Sequence, residues 1–210
     1  MNSTSFHLFP EWLLSLDLSL FYQINGHHSS VMDMVMFFLS YPGNILWAAI
    51  GVVVIWRLWM GSNRERVVIF SAVVAVLLAD FICDDILKPF FQRPRPFDEL
   101  IGITTWKRGH WVVTTSEYVS HVKNTLSFPS AHAINNWTLA VFIFCFYPRA
   151  GIPLMILASL VSYSRVYLGV HYPLDVLAGA LFGAVIGMGA ACLVKWCLKQ
   201  MGEGISQGKP

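Results

Sequence analysis

Charge is what this chain has least of. Only 12% of its 210 residues are Asp, Glu, Lys or Arg and 56% are hydrophobic, against roughly a quarter charged in ordinary soluble domains. That excludes a water-soluble globule, because apolar runs of this length suit repeated bilayer crossings. Basic clusters are also missing. A net charge of +2 with no basic run excludes a nucleic-acid footprint. No Lys or Arg precedes Arg57, so a cleavable signal peptide lacks its positive first segment and the N-terminus is expected to be retained. The four cysteines, Cys83, Cys145, Cys192 and Cys197, show no paired spacing and read as small apolar fillers rather than a disulfide or metal framework. Tandem repeats and low-complexity tracts are absent as well.

What is present reads as an all-α polytopic membrane helical bundle. Five stretches qualify as transmembrane spans, 44–60, 66–88, 131–147, 152–168 and 174–198, each near the 17–25 residues a bilayer demands. Breakers separate them: Pro42 with Gly43, the run Gly61-Ser62-Asn63, Pro89, Pro148 with Gly151, and Pro173. Residues 6–24 place Glu11, Ser15, Ser19 and Gln23 at four-residue intervals against a Leu-rich remainder, one polar stripe on an amphipathic helix lying in the membrane interface. A sixth crossing there is the alternative. Segment 29–41 is apolar but short, a half-buried lead-in helix. The expected organisation is N-terminal helices over 1–43, a membrane domain over 44–200 with a long loop at 97–128, and a tail at 201–210.

The turns at 57–66 and 147–152 and the C-terminal tail share one side and carry Arg57, Arg64, Arg66, Arg149, Lys195, Lys199 and Lys209. Short basic turns face the cytoplasm, which puts the opposite end of the bundle, with the N-terminus and loop 97–128, outside. In the last span Gly179, Gly183 and Gly187 lie four apart, a small-residue stripe that lets helices approach closely; packing within the monomer is preferred over a dimer contact. Trp47, Trp56, Trp59, Trp106, Trp111 and Trp196 fall near span ends or in the loop, as interfacial belts do.

Three short segments bring ionisable residues to the outer end. In KPFFQRPRP at 88–96, Lys88 closes the second span, and the prolines after it hold an extended strip, so Lys88 and Arg95 can reach one anion from different directions. In PSAH at 129–132, Ser130 is placed to cap a helix starting at Ala131. In SRVYLGVHYPLD at 164–175, Arg165 offers a bidentate guanidinium and Pro173 opens the final helix just after His171. Both helix starts are expected to present free N–H groups and positive dipole ends that suit phosphate. His171 and Asp175 are four apart, so the carboxylate can accept the imidazole Nδ1 proton and leave Nε2 as a nucleophile. His132, on another helix, can protonate the departing oxygen from the opposite side of phosphorus. Arg93, Asp84 and Asp85 are close enough to support such a site and read first as ion-pair partners of neighbouring charges. His7, His27, His28, His110 and His121 read as surface residues. Singly each motif is weak, but buried ionisable groups in lipid are costly and tend to be functional, so the conjunction points to phosphoryl transfer.

On these residues the chain resembles the type 2 phosphatidic acid phosphatase superfamily, which shares its site with bacterial acid phosphatases and vanadium haloperoxidases. The pattern KxxxxxxRP matches Lys88, Arg95 and Pro96; PSGH matches Pro129, Ser130, Ala131 and His132 with alanine in place of glycine; SRxxxxxHxxxD matches Ser164, Arg165, His171 and Asp175. The resemblance implies that Lys88, Arg95 and Arg165 bind phosphate, helped by Ser130 and the backbone at Ala131. It implies a phosphohistidine at His171 oriented by Asp175, with His132 as acid and then base, and neither metal nor cofactor.

The expected partners are the bilayer and a lipid phosphate or diphosphate whose tail stays in it. Undecaprenyl diphosphate leads, with phosphatidylglycerol phosphate, phosphatidic acid and lipid A 1-phosphate as alternatives; a non-enzymatic transporter and a vanadium haloperoxidase are more distant. The expected location is the inner (cytoplasmic) membrane, multi-pass, with the site on the external or periplasmic face. Trp106, Lys107, Arg108, His110 and Trp111 of the loop are expected to help select the substrate.

Overall fold

Proline and glycine punctuation sets the helix starts in the computed structural model, which describes residues 9–41, 44–107, 109–121 and 125–207, by backbone alone at 44–50, 121 and 201–207. The expectations placed on His7, Pro42, Gly43, the Trp47 side chain, Arg108, the His121 side chain and Lys209 lie outside that description. The helices are α1 (Glu11–Asn25), α2 (Ser30–Ser40), α3 (Asn44–Met60), α4 (Asn63–Phe81), α5 (Lys88–Phe91), α6 (Pro96–Glu99), α7 (Ser116–His121), α8 (Ala131–Phe146), α9 (Pro148–Tyr167) and α10 (Pro173–Gln207). Proline opens α6, α9 and α10, where the missing N–H costs nothing. A reciprocal Ser62–Glu65 capping box starts α4.

The membrane character is clear: among the described residues three helices are long and apolar enough to cross, 63–91, 148–167 and 173–200. α8 at 131–146 is shorter, as is the stretch 51–60, the part of α3 described with its side chains. α8 nevertheless lies at the centre, packed on α10, α9 and α4. Gly151 does not break the chain as expected: α9 begins at Pro148 and runs through Gly151 and Pro153. A Cβ on Gly151 would lie 2.3 Å from Phe144 Cα, so this glycine serves the tight approach of α9 to α8.

The glycine stripe on α10 faces α8 of the same chain. Added Cβ atoms would lie 2.8 Å from the Ser130 carbonyl oxygen at Gly179, 2.4 Å from that of Ile134 at Gly183, and 2.4 Å from that of Thr138 at Gly187. Backbone cannot yield there as a side-chain tip can. Gly183→Leu is therefore expected to destabilise by about 1–3 kcal/mol or more, read as a lower Tm in detergent. Gly189→Leu, with nothing within 4 Å of its Cβ, is the control that stays near wild type.

Buried hydrophobic residues gather in three clusters among the described residues, the smallest being Ala79, Cys83 and Ile134. Val68, Ala72, Ala75, Phe142 and Ala191 fill the α4–α8–α10 interior, and Phe21, Phe97, Ile103, Val166, Leu168, Val170 and Tyr172 form a second cluster at the motif end. Within the loop 97–128 the described residues include two strands, and there the fold departs from all-α. Strands β1 (Thr104–Lys107) and β2 (His110–Val113) pair antiparallel with Trp106 opposite Trp111. The β-branched and aromatic run ITTWK/HWVVTT around a glycine at φ +88° is the hairpin signal that the helical reading passed over. Gly169, at φ +69°, turns α9 toward α10; a Cβ there would strike the Thr104 carbonyl oxygen at 2.6 Å, so the hairpin rests directly on the third motif.

Candidate active site

Lys88, Arg95, Ser130, His132, Arg165, His171 and Asp175 all lie at one end of the bundle. The backbone knots the segments together: Ser130 N–H donates to the Asp175 carbonyl at 3.0 Å, His171 N–H to that of Arg165 at 3.3 Å, and Ser127 N–H to that of Arg93 at 2.7 Å. The cations Lys88, Arg95 and Arg165 act electrostatically on both the His132 and the His171 imidazole, and His171 acts on His132 as well. The three motif segments thus come together at this end of the fold.

The first motif reaches the site through a π-helical turn at Ile82–Leu87, immediately before Lys88; such turns recur at functional positions because they re-aim the next residue. Lys88 Nζ pairs with Asp84 at 2.7 Å, as expected of Asp84. Gln92, at φ 48°, reverses the chain into the proline-held strip, where Arg95 Nε donates to the Leu126 carbonyl at 3.2 Å.

Unmade hydrogen bonds mark the centre. Ser130, Arg165 and His171 are almost fully buried, yet Ser130 Oγ, Arg165 Nε and Nη1 and His171 Nδ1 have no hydrogen-bond partner among the described residues. Orphaned buried polar atoms are rare in folded proteins and call for a reason. Ser130 was expected to cap α8 through its side chain. It occupies the N-cap but makes no such bond, leaving its hydroxyl unused. The first-turn N–H groups of α8, at Ala131, His132 and Ala133, likewise have no acceptor among the described residues. His171 Nδ1 faces Asp175; the Ser130 hydroxyl, the Arg165 N–H groups and the start of α8, with Lys88 and Arg95, are an arrangement that can hold a tetrahedral oxyanion.

The start of α10 differs from expectation. Its N–H groups are not free: Leu174 N–H donates to Asp17 Oδ1 at 2.7 Å and Tyr172 N–H to Asp175 Oδ2 at 2.8 Å. Asp175 is consequently held 3.6 Å from His171 Nδ1, longer than a hydrogen bond, because its oxygens already serve Tyr172 and Arg93. Arg93 Nη1 meets Asp175 Oδ1 at 2.7 Å and Nη2 meets Asp17 Oδ2 at 2.6 Å, while the guanidinium lies over the Tyr172 ring at 3.8 Å. Burial works against its charge; Asp175 and Asp17 outweigh that, and its pKa ends up raised. Arg93 is an ion-pair partner as read from the sequence, but Asp17, one of its two carboxylates, escaped that reading. The one available signal was a lone acid on the apolar side of α1.

Burial, followed by the fields of Arg95, Arg165 and Lys88, lowers the His171 pKa well below 6.5. A lowered pKa keeps the imidazole neutral, with a lone pair, through neutral and mildly acidic pH. The acid limb of kcat/KM is therefore expected below pH 6.5. A limb at the ordinary imidazole value would show that the ring is not so shielded.

Residues 67–199 match the family model of the PAP2 superfamily. The chain belongs to this superfamily. It is 28% identical over 187 residues to a lipid A 4'-phosphatase of Bacteroides thetaiotaomicron, covering 84% of this chain and 76% of that one. It is 31% identical over 176 residues to an undecaprenyl-diphosphatase of Sulfolobus acidocaldarius, covering 82% and 76%. Among solved structures, Aquifex aeolicus LpxE superposes with a TM-score of 0.59 at 26% identity, covering 83% of this chain and 94% of that one. The PAP2 match takes in all three motif segments.

Proposed function

We propose that this PAP2 protein is an integral membrane lipid phosphatase acting through a phosphohistidine, with undecaprenyl diphosphate as its leading substrate. The observation that carries the reading is the buried pair Ser130 and Arg165, whose Oγ, Nε and Nη1 have no hydrogen-bond partner among the described residues. His171 Nε2 attacks phosphorus, the bond to the leaving oxygen breaks, and His132 supplies that oxygen's proton. His132, now neutral, takes a proton from water as the water oxygen attacks phosphorus, releasing inorganic phosphate and restoring neutral His171. Lys88, Arg95 and Arg165, with Ser130 and the N–H groups from Ala131 onward, stabilise the equatorial oxygens, a task that metal ions perform elsewhere. Asp175 orients the His171 ring; contacts longer than hydrogen bonds in a free site tighten as the reacting complex forms.

The proposed setting has α3, the α4–α5 unit, α8, α9 and α10 as five crossings of the inner membrane and α1 in the interface. It keeps the domain limits 1–43, 44–200 and 201–210 and puts the site on the external face, where the basic turns leave it. The lipid A 4'-phosphatase relative supports a second reading with a lipid A phosphate as substrate. Purified protein in detergent is expected to release phosphate from undecaprenyl diphosphate undiminished by EDTA and to be blocked by vanadate, which takes the geometry of the transferred phosphoryl group. Dependence on a chelatable metal would overturn the mechanism, and a preference for lipid A would exchange the leading substrate for the second.

A further inference from the structure

Between α2 and the β1–β2 hairpin lies a cleft of about 340 Å³ lined by Ser30, Asp33, Met34, Phe37, Trp106 and Trp111, a volume within the range of ligand pockets. Its one acid is already committed: Asp33 Oδ1 accepts the Tyr167 hydroxyl at 2.6 Å and pairs with His28 Nδ1 at 2.7 Å. Apart from Ser30, what remains is an aromatic and apolar lining, which suits hydrocarbon rather than a cationic headgroup. The lining continues to the phosphate cradle. Trp111 packs on Trp106 with ring centroids 5.3 Å apart, Trp106 on Phe37 at 4.6 Å, and Phe37 on Tyr41 at 5.4 Å. The Tyr41 ring lies under the Arg165 guanidinium at 5.3 Å. An unbroken strip of rings therefore joins a phosphate-binding cation to the cleft. On the outer side, Val31, Met34 and Phe38 of α2 share one face and are more than half exposed, the face that a short apolar helix turns toward lipid. Met34 belongs both to this face and to the lining, so the cleft opens on the hydrocarbon side.

We propose that this cleft seats the proximal units of a prenyl chain whose phosphate occupies the cradle of Arg165. The inference rests on the lipid phosphatase reading and narrows it to a polyprenyl substrate. Isoprene units carry flat, substituted double bonds that lie closely against ring faces, whereas a saturated acyl chain gains less from them. Trp106 and Trp111 also pack against the core that holds Val166, Leu168 and Val170, so a seated chain presses on the segment that carries Arg165 and His171.

The test compares undecaprenyl diphosphate with isopentenyl diphosphate, too short to reach the cleft, in the wild type, Phe37→Ala, Trp111→Ala and Trp111→Phe. The selectivity ratio of kcat/KM for the long over the short substrate is expected to fall about 10–100-fold in the alanine variants, mainly through KM, with Trp111→Phe recovering most of it. An unchanged ratio, whether both rates fall together or neither falls, overturns the proposal. A benzophenone-tagged geranyl diphosphate, photolysed with the wild type, is expected to label residues 30–38 or 104–113, and excess undecaprenyl phosphate should suppress the label. Competed labelling without turnover would leave the cleft standing and sink the phosphatase reading. Turnover with labelling elsewhere, or labelling that excess undecaprenyl phosphate does not suppress, as bulk lipid would give, would sink the cleft.

Discussion

His171→Ala is expected to lower kcat for lipid phosphate hydrolysis by about 10⁴–10⁶-fold, the scale of deleting a catalytic nucleophile. The ring is buried, its pKa is pushed down, and three cations face it, so no water molecule at that position matches it as a nucleophile. His132→Ala is expected to lose less, about 10²–10⁴-fold, and in a different way. With a substrate carrying a good leaving group, phosphorylation of His171 proceeds without an acid while hydrolysis of the intermediate lacks its base. Phosphoenzyme should then accumulate in His132→Ala, labile in acid and stable in alkali as a phosphoramidate is. It should be missing from His171→Ala. Phosphate release by His171→Ala at near the wild-type rate, or an acid-stable label, would refute the assignment, and folded yield by size exclusion separates either result from simple unfolding.

The parts of this site that could be read in the sequence are those in which one residue type does one chemical job beside a backbone signal. Lys88 before Pro89, Ser130 after Pro129 and His171 before Pro173 are of this kind: proline ends or begins the helix, and the side chain follows from that placement. Bundle character was legible for the same reason, although α8, at 16 residues, is shorter than a self-sufficient span and draws its place from the helices around it. What escaped depends on pairings distant along the chain. Asp17 meets Arg93 across 76 positions, and neither residue carries a local mark of the other. Its helix was read by its exposed polar stripe, whereas its buried face is Asp17, Phe21 and Asn25; the Asn25 side chain donates to the Tyr167 and Thr104 carbonyls, both at 2.8 Å. α1 is thus tied to the third motif at two points. The free N–H groups expected at both α8 and α10 survive only at α8, because a helix start attracts any anion and at α10 the protein supplies Asp17 itself.

That occupied helix start yields the second large expectation, Arg93→Met. Arg93 separates two carboxylates that are almost completely buried, and removing it leaves both unpaired, a loss of about 3–5 kcal/mol for a broken buried ion pair. Tm should fall accordingly. The kinetic consequence comes through Asp175. Freed from Nη1, its carboxylate turns toward His171 Nδ1, now 3.6 Å away, and favours the imidazolium, so the His171 pKa rises and the acid limb of kcat/KM moves upward. A ring displaced by about 1 Å costs on the order of 100-fold in rate, so kcat should drop by about 10–100-fold while KM, set by Lys88, Arg95 and Arg165, changes little. Arg93→Lys should recover part of the Tm but not the two-pronged geometry. Asp17→Asn keeps an acceptor for Leu174 N–H while removing the charge, and is expected to give a smaller kcat loss. If Arg93→Met lowers Tm but leaves kcat and the acid limb where they were, Arg93 only fastens α1 to α10. If the limb shifts with kcat, the Asp17–Arg93–Asp175 chain sets the posture of the nucleophile.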